Sequence, residues 1–275
     1  MSEQTSGILV AVGDDGVLRI TIDRADAGNS LSPFARQALN DAFTLAHDRS
    51  DVRAVLLSAT GDRHFCTGAG LPSQTASADP QSKPIADKRP GDIARMLQQG
   101  WQRLISSMLD CDKPVVAAVN GTAAGAGASL VMASDLVVMS AQARLVEAFV
   151  HRGILPDSGA IHLLTRIVGL RKATELLMLG EPVDAATCEK LGLVNRVTAP
   201  EDTRAVAEEF AVRLAAGPTV MLALTKRLLS VSSESDRHRA FEQEAWAQEV
   251  VSHTADLQEG LASFAERREP KFLGR

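Results

Sequence analysis

Residues 113–139, KPVVAAVNGTAAGAGASLVMASDLVVM, constrain this chain more than any other stretch. An apolar run at 114–119 reads as a buried strand and stops at Asn120-Gly121, a turn signal. Gly and Ala then dominate through Ser129, and a second apolar run covers 135–139. The pattern predicts a strand, a tight turn and a short small-residue helix that begins near Gly125 to Gly127. The first N–H groups of a helix have no partner inside it, and the helix dipole is positive there, so such an end suits a developing negative charge. Glycine and alanine would let a ligand approach that backbone. The same residues would also serve plain helix–sheet packing, and the run alone does not decide between the two. Gly125-Ala126-Gly127 is not a dinucleotide fingerprint, because Leu130 stands where the third glycine belongs.

The chain has 275 residues, 45% of them hydrophobic, enough for a large core, as one domain or as one domain with an appendage. A net charge of −5 and the lack of a Lys/Arg cluster speak against nucleic acid, although a few local cations could still hold a compact anionic cofactor. Three widely spaced cysteines, Cys66, Cys111 and Cys188, suit free thiols in a reducing compartment. MSEQTSG has no basic segment followed by an apolar core, and no apolar run approaches the roughly 20 residues of a membrane span. The expectation is a cytoplasmic protein without membrane partners.

Strand signals at 8–12 and 17–23 flank Gly13-Asp14-Asp15-Gly16, a hairpin pattern. Ser32 followed by Pro33 predicts a capped helix to about His47. A strand at 53–59 leads into the loop His64-Phe65-Cys66-Thr67-Gly68-Ala69-Gly70-Leu71. Residues 72–90 carry no periodicity and read as a surface loop, and 91–109 have helical spacing. Residues 144–150 read as a short strand or half-turn. Helices are expected at 159–168, capped by Asp157 or Ser158, at 171–179, and from Asp184 to about Leu191, with a strand at 194–197. Beyond Glu201 only helices follow, near 201–215, 218–230, 236–252 and 255–267. That divides the chain into an α/β core, 1–204, and a helical region, 205–275. No internal sequence repeat is visible.

Seven segments in order, Asn29-Ser30-Leu31-Ser32, FCTGAGL at 65–71, AVNGTAAGAGASLVMASD at 118–135, LPDSGA at 155–160, LLTRIVG at 163–169, AATCEKLGLVNRV at 185–197 and REPKFLGR at 268–275, resemble the crotonase, or enoyl-CoA hydratase/isomerase, family. The resemblance covers nearly the whole chain. It implies an α/β spiral of ββα units with a C-terminal helical region that trimerises, assembled as a homotrimer or a dimer of trimers. It implies an acyl-CoA substrate, with coenzyme A present as part of the thioester and no permanently bound cofactor. Two backbone N–H groups would stabilise an enolate on the thioester oxygen, and the matching positions are Thr67 and Ala126. Asn29, Ser30, Leu31, Cys66, Gly68 and Gly70 would lie near the adenine, and Lys271 and Phe272 would reach the CoA of a neighbouring subunit. The Asp or Lys common after the 65–71 loop is replaced by Gly70-Leu71-Pro72.

An enolate needs a group that removes and returns a proton. The two glutamates of the family's hydratases fall on Ser129 and Phe149, neither of which can be a carboxylate base. Glu147 lies two residues from Phe149, and as a loop acid it reads first as solvated. Asp157 matches the single working carboxylate of isomerase-like relatives, with Phe149 and Leu155 as an apolar lining; its other reading is a helix cap. Trp101 matches an aromatic of the family's dehalogenases, but Gln102 stands where those carry histidine, so Trp101 reads as core or pocket lining. His64 and His151 read as structural or surface residues, Cys66 as a small buried one, and the histidines show no metal-ligand spacing. The expected function is double-bond isomerisation of an acyl-CoA by one carboxylate, Asp157, through an oxyanion-stabilised enolate held at Gly125-Ala126. The alternatives are hydration by displaced acids and a non-catalytic acyl-CoA-binding paralogue.

Overall fold

The computed structural model describes residues 6–70 and 89–275, so most of the 72–90 segment, together with Leu71, lies outside the described residues. The hairpin forms as expected from β1 (Ile8–Val12) and β2 (Val17–Ile22), paired antiparallel. Ser32 caps α1 (Pro33–Asp48), its hydroxyl accepting the Ala35 N–H at 3.2 Å. The chain then alternates between two sheets. β3 (Ala54–Ala59) enters the first and β4 (His64–Cys66) the second. After α2 (Asp92–Leu97), a π-helical turn over Gln98–Gln102 and α3 (Arg103–Asp110), the pattern repeats with β5 (Val115–Val119), β6 (Thr122–Ala124) and α4 (Ala126–Met132). It repeats again with β7 (Leu136–Ser140), β8 (Arg144–Val146) and α5 (Ala160–Leu179), and closes with β9 (Val183–Asp184), α6 (Ala185–Lys190) and β10 (Arg196–Thr198). Each unit gives one strand to a six-stranded sheet, ordered β1-β2-β3-β5-β7-β10, and one to a four-stranded sheet, ordered β4-β6-β8-β9. This is the expected α/β spiral of ββα units.

The first sheet is parallel from β2 to β10 and buried on both faces, which explains the unbroken apolar runs of β3 and β5. Val55, Leu57, Val115, Ala117 and Val119 face the main core, shared with α1, α3, α4 and α5. Leu56, Val116, Ala118 and Val138 face the other way, onto Ala207, Ala211 and Ala215 of α7 (Thr203–Ala215). Alanine at every fourth position makes one flat stripe that lets a helix lie close to a sheet. The helical region therefore opens with an element of the core. It continues as α8 (Thr219–Ser232), α9 (Arg237–Ser252) and α10 (Ala255–Glu266). Lys226 of α8 pairs with Asp135 at 2.8 Å, and the same carboxylate accepts the Val115 N–H at 2.7 Å, so α8 is fastened at the start of β5. Among the described residues no single helix is long and apolar enough to cross a membrane.

Candidate active site

The strand-to-helix turn at 120–127 and the 64–70 loop singled out in the sequence meet. Gly125 caps α4 with φ 55 and ψ −124, a conformation that favours glycine, and no side chain caps the helix. Ala126, its first residue, therefore presents an N–H with no partner within the helix. The 66–68 loop lies directly against this end. A Cβ on Gly127 would stand 2.0 Å from the Cys66 carbonyl oxygen, and one on Gly68 would stand 3.2 Å from the Ala126 nitrogen. Thr67 sits between these contacts, and its hydroxyl donates to the Gly28 carbonyl at 3.0 Å. The loop that carries Thr67 is thus held against the first turn of α4, where a Cβ at Gly127 would collide with its backbone.

The 29–31 segment joins the same assembly. Leu31 N–H donates to the Gly68 carbonyl at 2.9 Å, and the Ser30 hydroxyl lies 3.2 Å from the Cβ position of Gly70. Asn29 is buried, with φ 53, and both amide N–H donors are used: it donates to the Thr60 and His64 carbonyls and accepts from Arg24 N–H at 2.9 Å. Its side chain braces the loop. Cys66 is fully buried and its thiol is pushed up to about 12 by burial, so it contributes backbone and packing, not a nucleophile.

Phe149 reaches the opposite side of the α4 start, its ring 3.7 Å from the Cβ position of Gly125. Asp157 stands in the turn before α5. The expected cap is not formed: Gly159, with φ 79, caps α5 without any side-chain bond. Instead the Asp157 carboxylate accepts the Ser158 hydroxyl at 2.7 Å, and Ser158 adopts φ 55, unusual for a residue with a Cβ. Leu155 does not line the acid; it is 76% exposed. The 157–159 turn packs on α3, where the Cβ position of Gly159 lies 3.4 Å from Ile105. One turn before Ile105 is Trp101, buried in the π-helical turn, and Arg36 of α1 lies over its ring at 5.3 Å. Burial lowers the Arg36 guanidinium from its usual value, and the Asp157 carboxylate pulls the other way. Arg36 was not legible as part of the site, since nothing in a helix sequence says which arginine faces inward.

Glu147 is a second correction. It is 1% exposed, not solvated, and neither carboxylate oxygen has a hydrogen-bond partner. Burial alone pushes its pKa up to about 8. Ser129, one turn into α4, is fully buried, with its hydroxyl also unpartnered. His151 is structural, bonded through Nε2 to the Gly180 carbonyl at 3.0 Å. Lys271 and Phe272 belong to a tail that is pinned within its own chain. Glu259 accepts the Lys271 N–H, Arg53 donates to the Phe272 carbonyl, and Asp256 accepts the N–H groups of Leu273 and Gly274 at 2.6 and 2.9 Å. Within one chain these contacts are to α10 and Arg53, not to the α4 start.

The whole-chain comparisons agree with this geometry. The family model described as enoyl-CoA hydratase/isomerase matches residues 13–275. The chain is 29% identical over 262 residues to the 1,2-epoxyphenylacetyl-CoA isomerase of Escherichia coli K12, covering 95% of this chain and 97% of that one. It is 29% identical over 263 residues to the trans-2-decenoyl-[acyl-carrier-protein] isomerase of Streptococcus mutans, covering 95% and 96%. The crystal structure of an enoyl-CoA hydratase from Bacillus anthracis superposes with a TM-score of 0.88 at 28% identity, over 98% of this chain and all of that one. With the two-sheet spiral and the backbone site at the start of α4 in place, the chain belongs to the enoyl-CoA hydratase/isomerase family.

Proposed function

We propose that this acyl-CoA enzyme moves a double bond along the acyl chain through an enolate, with Asp157 as the proton-transferring carboxylate. The observation that carries the reading is the junction of the 66–68 loop with the first turn of α4, where Gly127 touches the Cys66 carbonyl and Gly68 abuts the Ala126 nitrogen. A thioester oxygen lodged there would accept from the Thr67 and Ala126 N–H groups, fixed dipoles that need no rearrangement as charge develops. Asp157 is half-buried, and its charge acts on the Arg36 guanidinium, which lies over the Trp101 ring. The carboxylate is bonded to the Ser158 hydroxyl and not to backbone N–H groups, which favours a working acid over a helix cap. Ser129 and Phe149 stand where hydratases carry glutamates, and this disfavours ordinary hydration.

The test is turnover of a panel of 2-enoyl-, 3-enoyl- and dienoyl-CoA thioesters by the wild type and Asp157→Asn. Conversion of 3-enoyl to 2-enoyl ester should fall roughly 10²- to 10⁴-fold in the variant, the usual contribution of a positioned acid or base. Full turnover by Asp157→Asn on a substrate the wild type isomerises would sink the assignment. Hydration as the principal wild-type activity would replace isomerisation as the reaction.

A further inference from the structure

The carboxyl of Glu147 is placed where no protein group answers it. Alternation along β8 puts Leu145 and Glu147 on one buried side and Arg144 on the exposed side. The backbone fixes the level. Ala124 of β6 pairs with Val146, and the Val146 carbonyl accepts the Gly125 N–H at 2.9 Å, so Glu147 starts beside the residue that caps α4. Ser129 lies one turn along that helix, and Phe149 covers Gly125 from the same segment as Glu147. Glu147 thus leaves the backbone next to the start of α4, and its buried carboxyl, like the buried Ser129 hydroxyl on that helix, has no hydrogen-bond partner.

Among the described residues no charge compensates the acid. β6 and α4 contain no ionisable residue, and α5, which packs on α4, buries Ala173 and Leu176 and keeps its charges outside. Arg144 and Asp184 are exposed at the other end of the β8–β9 pair. The His151 ring is taken by the Gly180 carbonyl, and Arg152 donates to the Ala148 carbonyl. Acids that hold this fold together look different: Asp256 and Asp184 each accept backbone N–H groups. Buried polar groups in proteins are nearly always bonded, and an unanswered buried acid beside a backbone oxyanion site points to chemistry.

We propose that Glu147 is a second proton-carrying group of the acyl-CoA site, a neutral acid that supplies the returning proton, with Ser129 as the small residue that leaves it room. The proposal rests on the isomerase reading above. Asp157 carboxylate takes the proton from C2 of a 3-enoyl thioester, and the C–H electron pair enters the conjugated enolate with its charge on the thioester oxygen. On collapse, a C4–H bond forms with the proton of the Glu147 carboxyl, whose O–H pair stays behind as carboxylate. Asp157 then gives its proton to solvent and Glu147 takes one from solvent, so the cycle has no net change beyond the moved double bond.

The experiment is conversion of 3-enoyl-CoA in D₂O by the wild type, Glu147→Gln and Asp157→Asn, with mass analysis of early product. A solvent-equilibrated donor predicts about one deuterium at C4 per turnover in the wild type. Glu147→Gln should lose at least about tenfold in rate, and its residual product should carry less deuterium, because Asp157 then shuttles the original proton. Wild-type rate and wild-type deuterium content in Glu147→Gln, with Asp157→Asn inactive, would overturn the second acid and leave the Asp157 reading standing. An active Asp157→Asn would overturn that reading whatever Glu147→Gln does.

Two measurements keep the test sound if the variant folds poorly. The wild-type kcat/KM should decline as pH rises through about 8, where burial places the Glu147 carboxyl; a flat profile to higher pH would count against the proposal. Stability gives the sign independently of activity. The native state keeps a proton that the unfolded chain has lost between the ordinary value of 4.5 and about 8, so wild-type Tm should fall as pH rises across that window. The amide of Glu147→Gln does not titrate, so its Tm should lack this component of the fall.

Discussion

In the proposed mechanism the donors are backbone groups, which accounts for the plain side chains at the site. Ala126 needs only its N–H, and Gly68 and Gly127 need only the absence of a Cβ. These requirements are written in residue type, which is why the strand, the turn and the small-residue helix start in 113–139 could be read from sequence. They also allow a clean test. Proline is well tolerated at the first position of a helix but has no N–H. Ala126→Pro should therefore keep far-UV helicity and lose roughly a hundred- to a thousandfold in kcat, as for loss of one oxyanion donor. Unchanged kcat in a folded variant would remove Ala126 from the mechanism. Glu147 and Arg36 were opaque for the opposite reason. Glutamate in a loop and arginine in a helix are solvated by default, and only packing shows that these two are withdrawn from water.

At the scale of elements, long periodic segments were legible and short ones were not. The four C-terminal helices and α1 fall within a few residues of expectation because each carries its own pattern and its own stop signals. The break expected between 168 and 171 is present, with Gly169 at φ 75 and ψ 163 separating two helical stretches of α5. β4, β6 and β8 have three residues each, too few to show a period, yet they build the second sheet that carries the site. The tail is another element whose anchoring the sequence did not show. Buried Asp256 accepts two tail N–H groups, and its own side chain is 3% exposed. Asp256→Ala should free residues 268–275 without unfolding the core, so limited trypsin digestion should cut after Arg268 and Lys271 faster than in the wild type. Equal cleavage rates would mean that Glu259 and Arg53 suffice to hold the tail.

The whole molecule leaves α9 and α10 with large apolar side chains in solvent: Phe241 is 62% exposed, Trp246 68%, Leu261 60% and Phe264 86%. A single exposed apolar residue is ordinary, but a group of this size on two consecutive helices points to a contact surface. We propose that it joins copies of this chain, as the resemblance implied. Light scattering after size exclusion should give a multiple of three chain masses for the wild type and a smaller species for Phe264→Glu. A monomeric wild type would contradict the assembly.

Sequence by itself determined the order of the longer strands and helices, the small-residue turn at the start of α4 and the family, because each depends on residue types at fixed spacing along the chain. Tertiary structure alone decided what is dry and what is wet. It closed the far face of the sheet with α7, set Arg36 on Trp101 beside Asp157, and enclosed Glu147 and Ser129 without partners. Burial is a property of the surfaces that meet at a residue, contributed by segments far apart in the chain, and it is burial that turns an ordinary glutamate into an acid holding its proton at neutral pH.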